Sequence, residues 1–109
     1  MIKLNIKPLS VNEAWQGKRF KTVKYKKYEK DVLLMLPRIK LPPPPYKLYY
    51  EWGFSNKASD VDNPIKPFMD ILQKKYLFND KEIYELHLKK AIVAKGKEYI
   101  KFELTSLDV

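Results

Sequence analysis

Cysteine is absent from this 109-residue chain, which removes disulfides, zinc-thiolate sites and a thiol nucleophile from consideration. Histidine is nearly absent too: His87 is the single one, and its place between Leu86 and Leu88 reads as a packed or surface residue rather than a ligand. No stretch approaches the roughly 20 apolar residues of a membrane-spanning helix. The opening M-I-K-L-N-I-K has neither an apolar core nor a small-residue cleavage site. A soluble, intracellular chain, cytoplasmic by default and with no membrane partner, is the expectation. Acidic residues are scarce in the first half, where residues 1–45 hold 11 Lys+Arg against 3 Asp+Glu. Residues 46–109 hold 11 against 10, so nearly all of the net charge of +9 belongs to the first half. A basic surface segregated from an acidic cluster suits an enzyme that binds a polyanion, although lysines also serve solubility alone.

What is present is hydrophobic patterning of two periods. Ile2, Leu4 and Ile6 alternate with polar residues as in a short strand ending at Pro8, and residues 10–22 read as an irregular basic loop. Tyr25, Tyr28, Val32, Met35 and Leu36 recur at helical spacing up to Pro37, which makes Tyr25 and Tyr28 core residues before nucleic-acid contacts. Pro42 to Pro45 form an extended spacer. Tyr46, Leu48, Tyr50, Trp52 and Phe54 alternate as a strand, and Ile65, Phe68, Met69, Leu72 and Tyr76 mark a helix face with Asn63 as cap. Pro67 moves the start of regular helix towards Lys66. Residues 83–93 and 99–104 read as a hairpin joined through Ala94-Lys95-Gly96-Lys97. The expected fold is α+β, a single domain over residues 1–109, with strand, helix, strand, helix, strand, strand around one mixed sheet.

Chemistry concentrates in S-D-V-D-N-P-I-K-P-F-M-D. On an extended segment Asp60 and Asp62 project to one face, and converging carboxylates repel unless a cation or proton lies between them. Their hard oxygens favour Mg²⁺, with Mn²⁺ as substitute, ions that serve enzymes breaking phosphodiester bonds. Two alternating surface acids of a charged chain look the same. Lys66 stands where an ammonium neutralises charge growing on a phosphate oxygen, and an up-and-back path through the next helix would return Asp80 to the pair. Asp70, four residues after Lys66, suits either an ordinary ion pair or a catalytic role. Lys18, Arg19, Lys21, Lys24, Lys26 and Lys27 are the candidate phosphate contacts.

The run D-V-D-N-P-I-K-P-F-M-D-I-L, then L-F-N-D-K-E-I, resembles the RusA family of Holliday junction resolvases, and P-L-S-V-N-E-A-W-Q-G-K-R-F is similar to that family's opening segment. The likeness covers nearly the whole chain, and D-x-D-N-x-x-K is its most specific part. It implies a Mg²⁺-dependent homodimeric endodeoxyribonuclease of DNA recombination and repair that cuts four-way junctions in pairs. Asp60, Asp62 and Asp80 would be metal ligands and Lys66 the catalytic lysine. Asn12 falls in the opening motif, as a DNA contact or as the cap of a turn. Asn79 stands where relatives often carry a second acid, and Lys95-Gly96 replaces a frequent proline-glycine. Two other readings are a non-catalytic branched-DNA-binding module of the same fold and a small structural protein with an incidental acidic turn.

Overall fold

A computed structural model describes residues 1–17 and 20–107. Strand β1 (Ile2–Leu4) leads to a short helix α1 (Val11–Ala14), where the Ser10 hydroxyl accepts the Asn12 amide at 3.1 Å. Strands β2 (Trp15–Gln16) and β3 (Phe20–Lys21) then pair as a small antiparallel ribbon. The expected irregular loop over residues 10–22 therefore carries structure of its own, in pieces too short for a hydrophobic period to register.

Helix α2 (Val23–Met35) begins at Thr22, whose hydroxyl accepts the Tyr25 amide at 3.1 Å and donates to the Glu13 carbonyl at 2.7 Å. It stops before Pro37. Helix α3 (Ile65–Tyr76) follows Pro64. Pro67 occupies its third position, one of the first four whose N–H has no partner within a helix, so the ring costs no hydrogen bond. Leu77 closes α3 in the left-handed region with φ of 59°, and its amide donates to the Gln73 carbonyl.

Strands β4 (Tyr46–Phe54), β5 (Ile83–Ile92) and β6 (Tyr99–Ser106) join β1 in one sheet of order β1-β6-β4-β5. β4 runs parallel to β5 and antiparallel to β6, so the fold is α+β with a mixed sheet, as expected. The expected hairpin is corrected: β5 and β6 do not pair, because β4 lies between them. β4, which buries Tyr46, Leu48, Tyr50, Trp52 and Phe54 on one face and Glu51 on the other, is an inner strand with a neighbour on each side. β5, with Tyr84, Leu86 and Ile92 exposed, is left at the edge. The turn at Gly96 (φ 91°) is where expected, but its connection crosses the end of β4, with the Val93 amide donating to the Phe54 carbonyl at 2.7 Å.

α2 and α3 cover one face of the sheet and point the same way. Near their N-terminal ends the Tyr25 hydroxyl donates to the Pro67 carbonyl at 3.3 Å, and near their C-terminal ends Tyr76 donates to the Pro37 carbonyl at 2.7 Å. Phe68 is the hub between the layers, its ring edge-on to Tyr50, Trp52 and Phe102 at centroid distances of 5.6, 5.9 and 5.5 Å. Tyr25 and Tyr28 are buried, as their helical spacing predicts, while His87 is exposed and lies 3.0 Å from Glu85.

On the opposite sheet face Glu51 is buried at 8% exposure, and it accepts hydrogen bonds from Tyr49 at 2.9 Å and Tyr99 at 2.5 Å. The Tyr99 bond above all, with Tyr49 and the ammonium groups of Lys101 and Lys89, holds its carboxyl below the ordinary value of 4.5 against the opposing effect of burial. The same bond pushes the Tyr99 phenol up to about 12. A carboxyl depressed in the folded state stabilises the fold above its unfolded pKa, and that stability is lost as pH falls through the lower folded value. Thermal unfolding followed by circular dichroism should thus show the melting temperature dropping on acidification below about pH 4, a drop that Glu51→Gln makes shallower.

Candidate functional site

Asp60 and Asp62 do not lie on an extended segment. They occupy a pair of tight turns between β4 and α3, where the Asn63 amide donates to the Asp60 carbonyl at 3.3 Å and the Ile65 amide to the Asp62 carbonyl at 3.1 Å. The strand ends six residues earlier at Phe54, so strict alternation does not set the direction of these side chains. The segment is held from three sides. Trp52 donates its indole Nε1 to the Val61 carbonyl at 2.8 Å, between the two aspartates. Lys90 on β5 donates to the carbonyls of Lys57 and Ser59 at 2.7 and 2.5 Å. The Val11 amide donates to the Asn63 carbonyl at 2.9 Å and fastens α1 against the turn.

Both aspartates are exposed. Asp60 lines a cavity of about 340 Å³ together with Ser10, Asn12, Glu13 and Asn63. Lys66, in the first turn of α3, lines a groove of about 570 Å³ with Asn12, Trp15, Lys21 and Asp70. Asn12 lines both. The Lys66 ammonium lies 5.2 Å from the centre of the Trp15 ring and 3.5 Å from Asp70. The i,i+4 pair expected as one reading of Asp70 is therefore formed. Asp70 also faces the Tyr25 phenol, which burial chiefly, then the Asp70 and Glu29 charges, pushes well above its ordinary value.

The chain does not bring Asp80 to this place. Asp80 opens a single 3-10 turn (Asp80–Glu82) capped by Asn79, its amide accepted by Gln73 beyond the middle of α3. The neighbouring Phe78 ring packs 5.9 Å from Tyr46, where β4 begins, whereas Asp60 lies past Phe54, where β4 ends. Nine strand residues separate the two ends, a span of roughly 25 Å at ~3.3 Å per residue. The up-and-back path expected for Asp80 fails because α3 spans the sheet once and β5 then runs parallel to β4. Among the described residues no three His, Cys, Asp or Glu side chains form a group able to hold a metal ion.

Three of the expected phosphate contacts are already paired. Lys21 meets Glu29 at 3.0 Å, Lys27 meets Asp31 at 2.8 Å, and Lys24 pairs with Glu13. Burial pushes the Glu29 carboxyl up, but hydrogen bonds from Lys21 and Lys74 outweigh it and hold the group below its ordinary range. Lys26 is exposed on α2, and Lys18 and Arg19 lie outside the described residues. Such exposed pairs contribute about 0–1 kcal/mol, so they exchange readily for a phosphate. The N-terminal ends of α2 and α3 lie together here, and their helix dipoles add positive potential.

Trp15, Trp52 and Lys90 were not singled out from sequence. Trp15 stands in the opening motif, but its approach to Lys66 spans 51 positions, and neither periodicity nor local spacing reports contacts at that range. No helix among the described residues is long and apolar enough to cross a membrane. The chain matches no protein-family model and no curated protein.

Replacing Trp52 by Phe keeps most of the buried ring and removes the donor to Val61. This should cost about 1–3 kcal/mol in denaturant unfolding and speed hydrogen exchange at the Asn63 and Ile65 amides. Unchanged exchange at those amides would show that the indole does not hold the turn.

Proposed function

We propose that this chain is a metal-dependent endodeoxyribonuclease of the RusA type, acting on four-way DNA junctions in recombination and repair. The observation that carries the reading is that Asp60 and Lys66 line adjoining hollows that share Asn12, in the segment that follows the carboxyl end of β4, beside the parallel strand β5. Open sheets of this kind take their ligands outside the carboxyl ends of parallel strands. A cytoplasmic location fits an enzyme that works on DNA.

Asp60 and Asp62 offer the hard oxygens that suit Mg²⁺ or Mn²⁺, and Mg²⁺ commonly uses one or two carboxylates together with substrate phosphate. When bound, such an ion polarises the phosphate and lowers the pKa of its water. Lys66 supplies positive charge to the phosphate oxygens as the pentavalent transition state forms, and Asp70 positions its ammonium. The Asn12 amide donates to a neighbouring phosphate oxygen. Lys21, Lys24, Lys26 and Lys27, with Lys18 and Arg19, hold the DNA arms by exchanging acid partners for phosphates, which makes binding steeply salt-dependent.

Asp80 joins this site only through a second copy of the chain. The homodimer implied by the family resemblance supplies one, and the outer edge of β5, where Tyr84, Leu86 and Ile92 are exposed, is an unpaired surface for it. The alternative is a non-catalytic DNA-binding module, for which the basic first half of the chain would suffice.

Asp60→Asn or Asp62→Asn should lower cutting of a synthetic four-way junction in Mg²⁺ by about 10²-fold or more, while binding holds or tightens. Full cutting by either variant overturns the assignment, and a wild-type chain that binds junctions without cutting in Mg²⁺ or Mn²⁺ establishes the binding-module reading. Mixing Asp60→Asn chains with Asp80→Asn chains tests the shared site. If Asp80 comes from the second copy, mixed dimers hold one intact site and regain nicking; if it acts within its own chain, no activity returns.

A further inference from the structure

The sheet face opposite α2 and α3 carries a second assembly, on the other side of the sheet from the helix that bears Lys66. In the strand register Lys3 of β1 lies beside Lys101 of β6, Lys101 beside Glu51 of β4, and Glu51 beside Lys89 of β5. A single row thus crosses all four strands, roughly 14 Å at ~4.8 Å between neighbours. Its one acid is enclosed: Glu51 is capped by the hydroxyls of Tyr49 and Tyr99, with the ammonium groups of Lys101 and Lys89 at 3.8 and 3.9 Å. Lysines are what the row presents to solvent.

Tyr99 lies down on this face. Its partner across the strands is Gly53, and a Cβ at Gly53 would come within 2.4 Å of the ring atoms Cδ1 and Cε1, so the ring rests where any other residue would place a side chain. The hydroxyl is held by Glu51 at 2.5 Å, and the ammonium groups of Lys3 and Lys101 stand 4.8 and 5.3 Å from the ring centre. An aromatic ring fixed at both ends, with one side towards solvent and flexible cations around it, is preorganised for stacking a planar group that carries negative charge.

We propose that this face binds single-stranded DNA, one base stacking on Tyr99 while Lys3, Lys101 and Lys89 take the flanking phosphates. The choice of DNA rests on the nuclease reading above; the surface itself does not. A base enters between the ring and the two ammonium groups, which swing outward to the backbone. Of the other acids of the face, Glu103 lies in the next row, level with Tyr49, and Glu85 one row further, level with Lys47, where His87 engages it at 3.0 Å.

Fluorescence anisotropy of labelled oligo(dT) with the full chain, at low and moderate salt, tests the assignment. Tyr99→Leu should weaken binding about tenfold, Tyr99→Phe should retain it because the ring still covers Gly53, and Lys101→Glu should weaken it and flatten the salt dependence. If Tyr99→Leu fails to melt cooperatively, Lys101→Glu with Lys3→Glu carries the same test on the intact ring. Wild-type affinity in both Tyr99→Leu and Lys101→Glu overturns the proposal, as does tighter binding of oligo(rU) than of oligo(dT), or a second copy of the chain found covering this face in solution. If oligo(dT) binding falls in the Lys66→Ala variant and not in Tyr99→Leu, the strand lies at the nuclease site; that outcome sinks this proposal and leaves the proposed function standing. Binding through Tyr99 by a chain that cuts no DNA does the reverse.

Discussion

The indole of Trp52 joins the interior to the turn that bears Asp60 and Asp62. Its ring is wholly buried against Tyr50 and Phe68, at centroid distances of 4.7 and 5.9 Å, while its nitrogen reaches outward to the Val61 carbonyl. The same side chain is therefore a core residue and the inner support of an exposed acidic segment. Because a close-packed interior resists displacement, the turn inherits the rigidity of the sheet despite belonging to no regular element. Lys90 and Val11 complete the support from β5 and α1. An exposed loop held by three separate elements is an expensive way to place two aspartates, and it makes sense where their position is used.

The long elements were legible because hydrophobic period and terminal chemistry agree in them. Tyr46 to Phe54 alternates and is a strand over its whole length; Phe68, Met69 and Leu72 recur at helical spacing and face the sheet. The hairpin was misread for a specific reason. Gly96 reports that the backbone reverses, but a reversal does not say which strand receives the returning chain, and the strongly apolar β4 took both neighbours. The position of Asp80 follows from strand direction and not from adjacency. Once β5 runs parallel to β4, residues before and after α3 must lie at opposite ends of the sheet.

The site was legible in part. Asp60 and Lys66 line two separate hollows that share Asn12, and a turn replaces the alternation that would have paired Asp60 with Asp62. The basic first half was visible as composition, but its ion pairs were not. Lys24 reaches back 11 positions to Glu13, and Lys74 reaches Glu29 across 45, so the local excess of lysine overstates the charge offered to a ligand before any partner is displaced.

The order of strands also constrains when this molecule can take shape. β1, made first, pairs only with residues 100–102 of β6, made nearly last, and β4 meets both of its neighbours only after they follow it from the ribosome. No early fragment contains a closed piece of the sheet. β4, the most apolar segment, must wait unpaired until β5 begins at Ile83, and its other side stays open until β6 follows; in that interval it is exposed to other chains. The lysine-rich segment that precedes it emerges earlier, and its like charge opposes association of chains until the last strand slides between the first and the fourth.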